Sequence, residues 1–366
     1  MNIAPPLAMR KVFAILNSGV KLKYHCPPLA VPRPRLYAGG VPATAKGWDL
    51  MTGPVTDAVV IGRNEGARLV ACLQALKGQV RRVIYVDSGS HDGSPEAARA
   101  AGAEVVDLDM SRPFTAARAR NVGLAQLGDG DFVQFVDGDC IIDPGWVAAA
   151  ARHLAQHSEI AVVCGRRREQ HPGASRYNRL CDLEWDTPVG AAKACGGDAL
   201  MRRAALAQVG GYRDDLIAGE EPELCVRLRG EGWGIERLDV EMTLHDARIL
   251  RFGQWWARSR RAGYAFAQGA HLHGAPPERH WVQEVRRALV WGLGGPVVTL
   301  ALMVMTPLAA LVLLVYPAQV VRLGLRSGDW QWAVFSVLGK FPEAQGVVQF
   351  HLDRLRGRKS GIVEYR

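Results

Sequence analysis

Phe132-Val133-Gln134-Phe135-Val136 runs straight into Asp137-Gly138-Asp139, and the reading of the chain turns on that junction. A short apolar run rich in β-branched and aromatic residues reads as a buried strand. Two carboxylates separated by one glycine at its carboxyl end can hold a hard divalent cation and leave positions for phosphate oxygens. Upstream, Ala58-Val59-Val60-Ile61 is a first strand, followed by helical spacing through Leu69, Cys72, Leu73 and Leu76. Val83-Ile84-Tyr85-Val86 and Glu104-Val105-Val106 are two more strands, flanking a helix with Ala97, Ala98 and Ala101. A further helix near residues 115–127 leads back to Phe132. This alternation predicts an α/β fold with a doubly wound, mostly parallel sheet, whose ligands gather at the strands' carboxyl ends.

Composition narrows the class. With 366 residues, 48% hydrophobic and 22% charged, the chain is neither disordered, collagenous nor a disulfide miniprotein. Its seven cysteines are scattered, with no C-x-x-C pair, which favours reduced thiols. The net charge of +9 favours an anionic partner. No nucleic-acid partner is predicted, because the basic residues cluster beside an apolar run and not on a recognisable module.

Seven short pieces occur in order along residues 57–250. They are Val60-Ile61-Gly62-Arg63-Asn64-Glu65, Val86-Asp87-Ser88-Gly89-Ser90, Ala119-Arg120-Asn121-Val122-Gly123 and Asp137-Gly138-Asp139, then Gly196-Gly197-Asp198-Ala199, Gly210-Gly211-Tyr212 and Gly219-Glu220-Glu221-Pro222-Glu223-Leu224. In these motifs the chain resembles family 2 glycosyltransferases of the GT-A fold.

The resemblance implies roles residue by residue. Ile61, Arg63, Glu65 and Asp87 would hold the nucleotide base, although an Asp before a glycine also starts turns. Arg120 would lie near the diphosphate; the alternative for Arg118 and Arg120 is a solvated helix face. Asp137 and Asp139 would serve the ribose-diphosphate and a divalent cation, Mg²⁺ or Mn²⁺, with Asp139 the direct ligand and His245 completing the shell. Glu221 stands where the family carries its general base. It is one methylene longer than the usual Asp and is followed by Pro222, so Glu220 remains the alternative, and acidic residues also simply favour helix starts. Gly197 and Asp198 would face the acceptor, and the stretch holding Arg176, Tyr177, Asp182, Glu184, Trp185 and Asp186 matches a variable acceptor region.

The implied activity is inverting transfer of a sugar from a nucleotide diphosphate donor to a hydroxyl of a lipid-linked or polysaccharide acceptor. Two rivals are a sugar-nucleotide nucleotidyltransferase and a non-catalytic, nucleotide-sugar-binding membrane scaffold. The first lacks its glycine- and Arg/Lys-rich loop, since Gly62-Arg63-Asn64-Glu65-Gly66 is short and acidic.

Outside residues 55–250 the chain changes character. Residues 1–54 are proline-rich without a sustained period and read as a poorly ordered extension with no signal-peptide layout; Met51 is an alternative start. Ala288 to Val321 carries no charged side chain or histidine, and as one helix it would far exceed a bilayer's ~30 Å apolar core. Thr306-Pro307 near its middle predicts a break, giving a transmembrane hairpin over 288–325 with Arg322 snorkelling. Arg286, Arg287, Arg322 and Arg326 flank it, placing both ends, and the GT-A domain, on the cytoplasmic side of the inner membrane. Residues 251–287, with Trp255 and Trp256 among arginines, read as an interfacial segment at membrane lipids. Residues 326–366, with Arg354, Arg356, Arg358 and Lys359, read as an amphipathic basic tail on anionic lipid.

Overall fold

The computed structural model describes residues 53–357; nearly all of the expected N-terminal extension, and Arg358 and Lys359, lie outside them. β1 (Thr56–Gly62) pairs in parallel with β2 (Val83–Asp87) and β4 (Phe132–Asp137), and β3 (Glu104–Asp107) adds beyond β2. Register sets Gly62 opposite Asp87 and Ile61 opposite Asp137, so the polar strand ends share one edge. The crossovers are α1 (Ala67–Leu76), α2 (Ser94–Ala100) and α3 (Ala116–Ala125).

After β4 the winding changes. β5 (Cys140–Ile142), α4 (Trp146–Gln156), β6 (Ile160–Glu169), α5 (Arg176–Trp185) and β7 (Gly190–Ala191) come first. β8 (Ala199–Arg202), α6 (Arg203–Val209), α7 (Glu220–Gly230) and β9 (Gly234–His245) complete the domain. The sheet order is β3-β2-β1-β4-β8-β6-β9-β5, with β7 on β9. β8 inserts antiparallel between β4 and β6, while β9 runs parallel to β6 and antiparallel to β5. The predicted parallel winding therefore describes the first four strands, and the second half is mixed.

Burial explains the elements. α4 turns Trp146, Val147, Ala150 and Leu154 inward at helical spacing. The Trp146 indole N–H donates to the buried Gln134 Oε1 at 2.8 Å, which satisfies a polar side chain on a central strand. Gly165 on β6 leaves room for that indole.

Five helices follow: α8 (Phe252–His273), α9 (Val282–Met303, with a π-type turn at Val290–Gly294), α10 (Pro307–Ser327), α11 (Trp330–Leu338) and α12 (Lys340–Leu355). α9 ends and α10 begins around Thr306-Pro307, where the proline predicted a break. α9 and α10 have 22 and 21 residues and are long and apolar enough to cross a membrane. Leu300, Val304, Met305, Leu308, Leu311 and Leu314 on and between them are exposed.

The two segments expected at lipid also make contacts within the protein. Trp255 is buried against Tyr177, Phe252 and Phe335, and the half-buried Trp256 donates its indole N–H to Gln345 at 3.0 Å. Residues 330–355 of the expected amphipathic tail form two packed helices. α12 buries Val347 and Phe350 against Tyr264, Ala288 and Ile217. It crosses α8 at Gly346 and Gly263, where a Cβ on either glycine would sit 2.0 Å from a backbone oxygen of the other helix.

Gly165→Ala tests the packing under α4. Its Cβ would lie 2.6 Å from both the Trp146 ring and the Val240 carbonyl. Overpacking of this kind costs about 1–3 kcal/mol, seen as a lowered melting temperature by circular dichroism. Gly128→Ala, whose Cβ would meet nothing within 4 Å, is the control.

Candidate active site

The site forms where β1, β4, β5 and β9 end. The Gly138 N–H donates to the Ile61 carbonyl at 2.8 Å, and the Asp246 N–H to the Asp139 carbonyl at 3.2 Å. The β5–β9 register puts His245 opposite Cys140 and so beside Asp139. His245 Nε2 and Asp139 Oδ2 are 3.2 Å apart. Both are largely buried, and the Trp185 ring stacks on the imidazole with centroids 4.7 Å apart. Burial alone would lower the His245 pKa, but the Asp139 charge and hydrogen bond outweigh it and raise it.

This donor set fits a hard divalent cation. Two adjacent ligands of an octahedral ion with bonds near 2.0–2.1 Å are about 2.9 Å apart, close to the Asp139–His245 separation. Asp137 and Asp198 lie nearby. Burial and these neighbouring carboxylates raise the Asp137 pKa despite Arg120, a repulsion that a bound cation would relieve.

Arg120 organises the other side. Its guanidinium pairs with Asp137 at 2.7 Å and Glu220 at 2.7 Å, and lies over the Tyr212 ring at 5.6 Å. The alternative of a solvated arginine face on α3 is corrected: Arg118 and Arg120 are both buried. Arg118 donates to the carbonyls of Asp109, Arg112 and Pro113 and is structural. Burial alone would raise the Glu220 pKa, yet the Arg120 charge holds it below the ordinary range.

Glu221, expected as the general base, faces away from Arg120. Its Oε1 accepts from the Cys195 N–H at 2.5 Å and from the thiols of Cys195 and Cys225 at 3.0 Å each. Neighbouring helical residues point about 100° apart, so only Glu220 of the pair reaches Arg120.

Asp198, expected on the acceptor side, is 0% exposed. Its carboxylate accepts from the Asp137 N–H at 3.1 Å, Arg167 at 2.7 Å and the Thr243 hydroxyl at 3.2 Å, tying β4, β6 and β9 together. Gly197 lies against Asp137, Arg120 and Arg167.

The proposed base-binding residues cluster at the exits of β1 and β2. Ile61 and Glu65 are buried, Arg63 half-buried, and Glu65 pairs with Arg68 at 2.5 Å. The Asp87 carboxylate accepts from the Tyr85 hydroxyl and from the Gly89 and Ser90 N–H groups at 2.8–2.9 Å, as a turn-initiating Asp does. Of the stretch expected near the acceptor, only Trp185 reaches His245. Tyr177 packs on Trp255, Asp182 accepts from the Glu169 N–H, and Glu184 pairs with Arg258.

Arg167, Cys195 and Cys225 were not legible as site residues. Period-2 alternation in Arg166-Arg167-Arg168 hints that the middle arginine faces inward, but register shifts between Cys164, Arg166 and Arg167 blur it.

The parallel half-sheet with a carboxylate–histidine pair at its strand ends defines a GT-A-type domain. Residues 57–209 match the family model described as glycosyl transferase family 2, and the chain carries a family 2 glycosyltransferase domain. It is 28% identical over 229 residues to the pre-mycofactocin glycosyltransferase of Mycobacterium tuberculosis, covering 59% of this chain and 47% of that protein. It is 23% identical over 225 residues to the glycosyltransferase AglE of Haloferax volcanii, covering 58% and 73%. The chain thus spans less than half the length of the mycobacterial relative. In fold it is similar to the mannosyltransferase PcManGT from Pyrobaculum calidifontis, solved with GDP-Man and Mn²⁺. The TM-score is 0.61 at 20% identity, over 85% of this chain and 92% of that one.

Gly197→Ala tests the geometry around Asp137. Its Cβ would lie 2.9 Å from Asp137 Oδ2 and 3.1 Å from Arg120 Nη2. We expect Mn²⁺-dependent binding of nucleotide diphosphates to weaken roughly tenfold, about 1.4 kcal/mol, in calorimetric titrations, with little change in the ligand-free melting temperature.

Proposed function

We propose that this chain transfers a sugar from a nucleotide diphosphate donor to a hydroxyl of a lipid-linked or polysaccharide acceptor at the inner membrane, inverting the anomeric centre by direct displacement. The observation that carries the reading is the adjacency of two units at the strand ends: the Asp139–His245 pair and the Asp137–Arg120–Glu220 relay. The domain's relatives, named as glycosyltransferases, support it.

A divalent cation, Mg²⁺ or Mn²⁺, held by Asp139 and His245 would neutralise charge on the leaving diphosphate. Ile61, Arg63, Glu65 and Asp87 line the base end, and Asp137 and Arg120 the diphosphate end. Glu220 is the general base in this reading, because its carboxylate faces the site while that of Glu221 is enclosed by thiols. An incoming diphosphate competes with Glu220 for Arg120. Drawing the guanidinium away would let Glu220 regain basicity as the donor binds. Gly197 keeps the wall over Asp137 thin, and Trp185 fixes the His245 ring by stacking.

α9 and α10 form a membrane hairpin in this reading. Most of their apolar side chains, among them Leu300, Leu308 and Leu314, are exposed. Both ends and the GT-A domain lie on the cytoplasmic side.

Asp139→Ala should remove the Mn²⁺-dependent part of the thermal shift given by nucleoside diphosphates while the protein stays folded. Binding that persists with chelator present would rule out the cation assignment. Glu220→Gln should lower single-turnover transfer by about 10²–10⁴-fold without weakening donor binding, since the diphosphate then has less competition for Arg120. If Glu220→Gln transfers at full rate, the base is elsewhere; donor binding with no turnover in the unaltered protein would favour the scaffold. For the hairpin, topology reporters fused after Gly274 and after Arg366 should report one side of the membrane, and opposite sides would mean a single span.

A further inference from the structure

Beneath the Gly196-Gly197 turn, apart from the Asp139–His245 centre, three ligand-type side chains converge in a buried pocket. They are Cys195, just ahead of β8, and Glu221 and Cys225, one turn apart on α7. Their ligating atoms lie within 4.8 Å of one another. The two sulfurs are 3.8 Å apart, and each is 3.0 Å from Glu221 Oε1.

We propose that Cys195, Cys225 and Glu221 form a second metal site, for a thiophilic divalent ion of the zinc class. The geometry carries this. With metal–sulfur bonds of about 2.3 Å, two sulfurs of a tetrahedral site are about 3.8 Å apart, the spacing present here. The sulfur–oxygen contacts are hydrogen-bond distances and must open by about 0.5 Å for tetrahedral edges, a small movement for a glutamate side chain. The second carboxylate oxygen, or a water, completes four donors.

Charge balance makes the burial feasible. Each thiol releases its proton to solvent as a metal–sulfur bond forms, so two positive charges leave as a doubly charged ion enters. The pocket carries the single charge of Glu221 before and after, so metal binding adds no net charge to the interior. Ligand softness separates the two centres: thiolates select zinc, whereas a carboxylate–imidazole pair with open positions takes Mg²⁺ or Mn²⁺. The second site is structural. It joins the segment carrying Gly197 to the helix start carrying Glu220, the two walls that meet Arg120.

The test uses the full chain, purified with zinc present, passed through a desalting column and analysed for metal. One zinc per chain is expected, retained in the Asp139→Ala/His245→Ala double variant and lost in Cys195→Ser and in Cys225→Ser. Replacement by Co²⁺ in the unaltered protein should give the intense near-ultraviolet thiolate-to-cobalt band. That measurement decides the matter even if a cysteine variant fails to fold. No retained zinc together with no such band overturns the proposal, as does zinc that follows His245 and not the cysteines. A Cys195–Cys225 disulfide in protein kept from added oxidant, found by mass spectrometry, also overturns it and makes the pair a redox element. Mn²⁺-dependent nucleotide binding, measured on the same samples, reports the donor site separately, so either reading can fail alone.

Discussion

The site depends on one buried cation. Arg120 sits almost wholly out of water, 3% exposed at its side chain, between Asp137 and Glu220. A guanidinium tolerates that position only because two carboxylates and the Tyr212 ring replace its solvent. Removing one partner of such a pair typically costs about 3–5 kcal/mol, so Arg120 holds the end of β4 against the start of α7. Arg167 and Asp198 form a second buried pair beside it. Asp137, Asp139, Asp198 and Glu220 face Arg120, Arg167 and His245 across this small volume, an acidic surplus that suits a cation.

The adjacent carboxylates at the start of α7 divide the work. Glu220 is held by a charge that a diphosphate could claim, whereas Glu221 is held by neutral donors that no substrate replaces. The two carboxylates therefore sit in different surroundings, one beside a guanidinium and one between thiols. Helix geometry produces this difference, since chemically identical residues one position apart leave the backbone in different directions.

The C-terminal helices are tied to the same element. His273 on α8 approaches Glu223 on α7 at 2.9 Å, and Arg229 pairs with Glu278. Arg258 pairs with Glu184 one residue from Trp185, and Arg261 donates to the Ile217 carbonyl. Arginines that resemble a lipid-facing cluster in the sequence therefore bind the catalytic domain. Such contacts orient the sheet's ligand edge relative to the apolar helices.

Local pattern sufficed for part of this. The β1–β4 strands, their crossovers, Asp137 and Asp139 at a strand end, and the break at Thr306-Pro307 follow from apolar runs, glycine and proline, signals that act over a few residues. His245 was legible through its motif, but its place beside Asp139, 106 positions away, comes from the β5–β9 register. The directions of Glu220 and Glu221, the burial of Asp198 and the arrival of Arg167 were decided in three dimensions. Each depends on which distant charge or thiol lies opposite, and composition and periodicity carry no such information. The same holds for Trp255, whose neighbours suggested lipid while its ring found Tyr177 and Phe335. Sequence determined which residues could do the chemistry, because residue type sets charge and ligand softness; tertiary structure decided which of them meet, because burying a charged group is tolerable only opposite a partner that the fold brings to it.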